Sequence, residues 1–195
     1  MILFRPCGPD ELRLVFESGM RRWPPRLPEQ PIFYPVLNQP YAATIARDWN
    51  AKSHSQAGYV TRFEVADSFA AQFPRQIVGG REHEELWVPA ERMGELNDSL
   101  IGTIRVVDAF FGPRFRGITD LETGEELRRL IAALAMSEDD LLSAIESNRS
   151  TVFLSYPYWA TLSADRYKIE LPLELVLRSI KEAWQRLSPD TPLHP

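Results

Sequence analysis

Along roughly the first 110 residues, short apolar runs alternate with segments whose apolar positions recur at helical spacing. Ile2-Leu3-Phe4-Arg5 is a brief strand-like start that Pro6 and Gly8 terminate. Over residues 10–18, Leu12, Val15 and Phe16 follow helical spacing, with Asp10 as the candidate N-cap and Gly19 as the stop. Trp23-Pro24-Pro25-Arg26-Leu27-Pro28 cannot be regular structure, because each proline fixes φ and removes a donor. Pro31 to Val36 then reads as a strand. A helix over about 39–50 follows, with Tyr41, Ala42, Ile45, Ala46 and Trp49 on one face and Asn38 as its cap. From Gly58 to Val65, Tyr59, Thr61, Phe63 and Val65 alternate against Val60, Arg62 and Glu64, which predicts a strand. Gln76–Val78, Glu85–Val88 and Thr103–Val107 are three further strands, with a short helix over 90–99.

The pattern changes in the second half. Thr123-Gly-Glu-Glu126 and Ser137-Glu-Asp-Asp140 have capping-box spacing, each ahead of an apolar helical stripe. Leu127, Leu130, Ile131 and Leu134 mark one helix, and Leu141, Leu142 and Ile145 the next. Thr151 to Trp159, aromatic and β-branched, predicts a strand that Pro157 interrupts. Leu173, Val176, Leu177, Ile180, Trp184 and Leu187 form the stripe of a last helix over about 172–187. The expected architecture is therefore α+β, with a mixed domain over 1–112 and a mainly helical extension over 118–195.

Charge sharpens that division. Residues 1–117 carry 14 basic and 14 acidic side chains, whereas 118–195 carry 8 and 13, the whole of the net charge of -5. GPRFRG at 112–117 separates them and reads as a turn or linker. An acidic balance exerts no general pull on nucleic acid. No run approaches the ~18 apolar residues of a membrane span, and the start of the chain lacks a basic segment before an apolar one. A soluble, cytoplasmic protein is expected. The single cysteine, Cys7, excludes an intramolecular disulfide and a cysteine-based zinc site, and the three histidines are isolated, so no metal site is expected. Neither a glycine-rich phosphate loop nor a nucleophile elbow is present.

Three pieces remain, and in order they resemble the landmarks of the ADP-ribosyltransferase fold. Leu3-Phe4-Arg5-Pro6 is similar to a first strand that ends in a basic residue, where the family holds the dinucleotide. Ile32-Phe33-Tyr34-Pro35 followed by Tyr41-Ala42-Ala43-Thr44-Ile45-Ala46 resembles the second strand and the Ala-rich helix behind it, where one branch uses a tyrosine. His83-Glu84-Glu85-Leu86-Trp87-Val88-Pro89 is similar to the acidic strand, and in that register Glu85 falls on the catalytic glutamate. The stretch also looks like small bacterial proteins labelled "ADP-ribosylation/crystallin J1". The resemblance covers about 1–110. It implies a split β-sheet that takes NAD as substrate and cleaves or transfers its ADP-ribose, with Glu85 catalytic and Arg5 and Tyr34 binding the dinucleotide.

The chemistry is consistent with those residue types. Cleavage of the nicotinamide–ribose bond develops oxocarbenium-like charge, which a nearby carboxylate stabilises more than it stabilises the neutral sugar. A guanidinium suits the pyrophosphate, and an aromatic face suits nicotinamide. Glu84 is the alternative acid, since a slip of one residue reverses the face. Trp23 and Arg26, and His83 with Glu84, are candidate substrate-side residues. The arginine-modifying branch has a Ser-Thr-Ser strand where this chain has Gly58-Tyr59-Val60-Thr61, and an acid where it has His83. The rival expectation is a non-catalytic member of the fold, an immunity- or antitoxin-type module that holds a protein partner through the inherited cleft or its acidic extension.

Overall fold

A computed structural model of the protein describes residues 1–118, 123–162 and 171–194. It divides into two compact units, Met1–Pro113 and Arg114–Pro195.

The first unit is built on a three-stranded antiparallel sheet in the order β1 (Ile2–Cys7), β3 (Ala57–Val65), β7 (Leu100–Phe111). The register runs from Ile2↔Glu64 to Cys7↔Tyr59 on one side of β3, and from Ala57↔Phe111 to Val65↔Leu100, with two register shifts, on the other. The alternation read over Gly58–Val65 is present, but Val60 is as buried as Tyr59 and Phe63. Both faces of the central strand are covered. On one, Val60 packs with Val36, Ala42 and Ala46, two of them on helix α2 (Gln39–Asp48). On the other, Trp23, Phe33 and Phe63 form an aromatic cluster with centroids 5.1 to 6.4 Å apart.

The helices begin where backbone chemistry places them. Helix α1 (Pro9–Glu17) has Gly8, not Asp10, at its N-cap. Pro9 explains the shift: it is preset for the first helical turn, and its missing N–H costs nothing there. Asp10 and Glu11 then fall in the positive first turn. Asn38 does cap α2, its side chain accepting from the Tyr41 N–H at 2.8 Å, and its amide donates to the Glu82 carbonyl at 2.6 Å. Replacing Asn38 by Ala should therefore cost about 1 kcal/mol or somewhat more in urea unfolding. Asn38→Asp, which keeps the cap acceptor and loses the donor, should lose less.

The remaining pieces are short: β2 (Ile32–Phe33), α3 (Asp67–Ala70), β4 (Arg75–Ile77), β5 (Glu84–Leu86), β6 (Val88–Pro89), α4 (Met93–Asp98) and two single 3₁₀ turns at Asn50–Lys52 and Ala90–Arg92. The strand expected over Pro31–Val36 is broken into β2 and an isolated bridge at Val36.

Among its described residues the second unit is helical: α5 (Thr123–Met136), α6 (Glu138–Glu146), α7 (Arg149–Trp159) and α8 (Leu173–Leu187). Ser137 caps α6, accepting from the Asp140 N–H at 3.1 Å and donating to its carboxylate at 2.6 Å. The Thr123 side chain lies outside the described residues. The strand expected over Thr151–Trp159 is instead helix α7. Seven of its eleven residues are buried, and a helix surrounded on all sides needs no polar stripe, so apolar content masked its period. Its β-branched and aromatic residues express the demand for burial rather than a backbone preference. Among the described residues, no helix is long and apolar enough to cross a membrane.

Candidate functional site

The site of the first unit follows from one register and one proline. β2 and β6 pair Ile32↔Pro89 and Phe33↔Val88, and the same register continues to the bridge Val36↔Glu85. It places Tyr34 opposite Trp87 and, because strand side chains alternate, puts Tyr34, Val36, Glu85 and Trp87 on one face. The Tyr34 and Trp87 rings meet edge to face at 5.7 Å.

On its other side Val36 joins β1 through a reciprocal pair with Phe4, both hydrogen bonds 2.8 Å. The next such pair in this register would unite Pro6 with Tyr34. Pro6 has no N–H to donate, and the Arg5 guanidinium, through Nη1, takes the Tyr34 carbonyl instead at 3.4 Å. The strands part here, and the gap opens into a cleft of about 480 Å³, within the usual range for small-molecule sites.

Arg5, Tyr34 and Glu85 all line this cleft, with Glu11, Tyr41 and Trp87 among its other walls. Glu85 is only 9% exposed, yet both carboxylate oxygens are held: Tyr41 Oη donates to Oε1 and Trp87 Nε1 to Oε2, each at 2.9 Å. Two donors, one from a helix and one from the residue two along the chain, fix its orientation, which a carboxylate on a free rotor would lack. Burial, with the Glu85 acceptor and its charge, pushes the Tyr41 hydroxyl up to about 12, so it stays a donor through neutral pH. Replacing Glu85 by Gln removes the charge and leaves burial as the main cause. The Tyr41 titration should then fall toward that of an ordinary tyrosine, as read by ultraviolet phenolate absorbance.

At the other end, Arg5 makes a two-pronged pair with Glu11, Nε to Oε1 at 3.2 Å and Nη2 to Oε2 at 3.0 Å. Cys7 also lines the cleft, but it is buried and desolvation raises its thiol pKa, so it is no ready nucleophile.

The other substrate-side candidates divide. Glu84 alternates onto the face opposite Glu85 and pairs with Arg75 at 3.5 Å. The choice between the two acids is thus made by register. His83 stacks on Tyr41, ring centroids 4.1 Å apart and nearly parallel, and so backs the residue that holds Glu85. Trp23 is not at the cleft. It is 2% exposed in the aromatic core, and Asn97 clamps its backbone N–H and carbonyl. An indole beside three prolines gains more from that burial than a solvent-facing loop could offer. Arg26 is drawn inward too, its Nη1 3.4 Å from Glu11 Oε1, and it does not line the cleft.

Trp87, Tyr41 and Glu11, the side chains that hold Glu85 or Arg5, were not read as site residues from the sequence. Trp87 had a signal, since a residue two beyond Glu85 in a strand shares its face. Tyr41 read as part of an apolar helix face, and Glu11 carried no signal, because its pairing with Arg5 depends on how α1 folds back on β1. Compared with protein-family models, curated proteins and solved structures, the chain matches none of them.

Proposed function

We propose that the cleft of the first unit binds NAD and that the protein cleaves it or transfers its ADP-ribose, in the manner of the ADP-ribosyltransferases its sequence resembles. The observation that carries this reading is the position of Glu85: a nearly buried carboxylate, oriented by two donors, in a cleft that also holds an aromatic pair and a guanidinium. Each Glu85 oxygen accepts one hydrogen bond and keeps a lone pair for a ribose hydroxyl. As the bond to nicotinamide lengthens, positive charge grows on the ribose, and a fixed negative charge beside it is worth most where water is scarce. Tyr34 and Trp87, 37% and 42% exposed, present ring surface at the cleft. Arg5 stands at the end suited to the diphosphate.

The second reading is a non-catalytic binding module. It is favoured by the internal satisfaction of the site, in which Arg5 is already bound to Glu11 and Glu85 to Tyr41 and Trp87. The experiment that separates the two is nicotinamide release from NAD by the purified protein, with Glu85→Gln and Glu84→Gln alongside.

A further inference from the structure

At the Arg5 end of the cleft one carboxylate, Glu11, is shared by two guanidiniums: Arg5, which lines the cleft, and Arg26, which reaches Glu11 without lining it. The side chains of Arg5, Arg26 and Glu11 are 13%, 7% and 19% exposed, and Glu11 is the only carboxylate with which either arginine pairs among the described residues. The cluster therefore holds an excess positive charge in a setting where an uncompensated ion is costly. Both guanidiniums lie over the Phe33 ring, at 4.9 and 5.7 Å, so neither can turn away to water without losing that contact.

Their donors are not exhausted. Arg26 Nη1 reaches Glu11 at 3.4 Å and Nη2 reaches Gln30 Oε1 at 2.6 Å, but its Nε is buried with no partner. Each guanidinium carries five N–H donors, more than these contacts use. Burial, and then the neighbouring Arg5, lower the Arg26 pKa, the response expected of a cation short of anions. Glu11 meanwhile sits as a bridging anion would, one oxygen shared between the two arginines and the other on Arg5. Arg5, Glu11 and Gln30 line the cleft, so a solute can reach Arg5 and the two side chains that hold Arg26.

We infer that Arg5 and Arg26 form a diphosphate-binding subsite in which Glu11 is a built-in competitor, holding the guanidiniums in place until the anionic ligand displaces its carboxylate. The inference rests on the reading of the cleft given above and adds the identity of the second cation and a brake on binding. A diphosphate fits better than a single carboxylate, since it brings enough oxygens for both forks and the charge to outbid Glu11. The exchange is of ion pairs alone.

The test is calorimetric binding of inorganic pyrophosphate, and separately of ADP-ribose, to the full-length wild type, Glu11→Gln, Glu11→Asp and Arg26→Gln, with sodium chloride at matched ionic strength as the control. Glu11→Gln should tighten pyrophosphate binding about tenfold or more, because the competitor's charge is gone while its shape stays. Glu11→Asp, whose shorter arm cannot span both arginines, should tighten it less and serves if the Gln variant does not fold. Arg26→Gln should weaken binding by about tenfold, the loss of one charge-assisted contact. Unchanged or weaker pyrophosphate binding in both Glu11 variants overturns the inference, as does an affinity indifferent to Arg26. Tightening for pyrophosphate but not for ADP-ribose would place a free phosphate compound, rather than a dinucleotide, in the subsite. Because none of these readouts needs turnover, they separate this inference from the catalytic reading: pyrophosphate binding with no nicotinamide release would sink the latter alone.

Discussion

Glu85→Gln is expected to cut nicotinamide release sharply while leaving the fold intact. The substitution removes one charge and almost no volume. The new amide can keep both contacts, its oxygen accepting from Trp87 Nε1 and its NH₂ donating to Tyr41 Oη, since a tyrosine hydroxyl can accept as well as donate. What cannot survive is stabilisation of growing positive charge on the ribose. Losing one preorganised electrostatic group typically costs roughly 10²–10³ in kcat, so release should fall by about that factor. The unfolding midpoint should move little. Glu84→Gln, on the opposite face with Arg75 as its partner, should release nicotinamide at the parent rate. A Glu85→Gln protein as active as its parent would remove Glu85 from the chemistry. No release by any form, and no NAD-dependent rise in melting temperature, would leave the binding-module reading.

The largest effect on stability is expected at Gly58. A Cβ there would stand 2.2 Å from the Ala46 carbonyl oxygen and 2.8 Å from Asn50 Cβ. Neither neighbour is the far end of a flexible side chain. Ala46 is fully buried in α2, and Gly58 is held in the central strand between β1 and β7. Glycine is therefore the residue that lets α2 lie against β3, and its φ is not the issue. Gly58→Ala should cost about 3 kcal/mol or more, at or beyond the usual upper end for overpacking, and should show as a large drop in the urea midpoint. Gly94 is the contrast. It lies in helix α4 with nothing within 4 Å of its would-be Cβ, so Gly94→Ala should raise stability by about 0.5–1 kcal/mol through the entropy of the unfolded chain. A Gly58→Ala protein as stable as its parent would mean that α2 does not seat on β3 as described. Since α2 carries Tyr41, the same seat decides whether Glu85 is held.

Much of this was legible in the chain. Periodicity and caps located most of the helices, because an amphipathic stripe and a cap such as Asn38 or Ser137 are local signals. The alternation in Gly58–Val65 located the central strand for the same reason. The failure at Thr151–Trp159 has an equally physical cause: a segment buried on every side has no polar face, and without one the period that separates helix from strand disappears. The cap at Asp10 yielded to Pro9, one local rule overruled by another.

The α+β class, most of the elements and the candidate residues Arg5, Tyr34 and Glu85 could be read from the chain alone. These are properties of single residues and of neighbours a few positions apart. Packing of the whole chain settles that Glu85 and not Glu84 faces the cleft, that Trp23 belongs to the core, that Tyr41 and Trp87 hold the carboxylate, and that Arg26 and Arg5 share Glu11. Each of those depends on strand register, on the missing N–H of Pro6, or on where a helix folds back. Such contacts join residues as many as 74 positions apart, and no local pattern encodes a distance that only the packed chain creates.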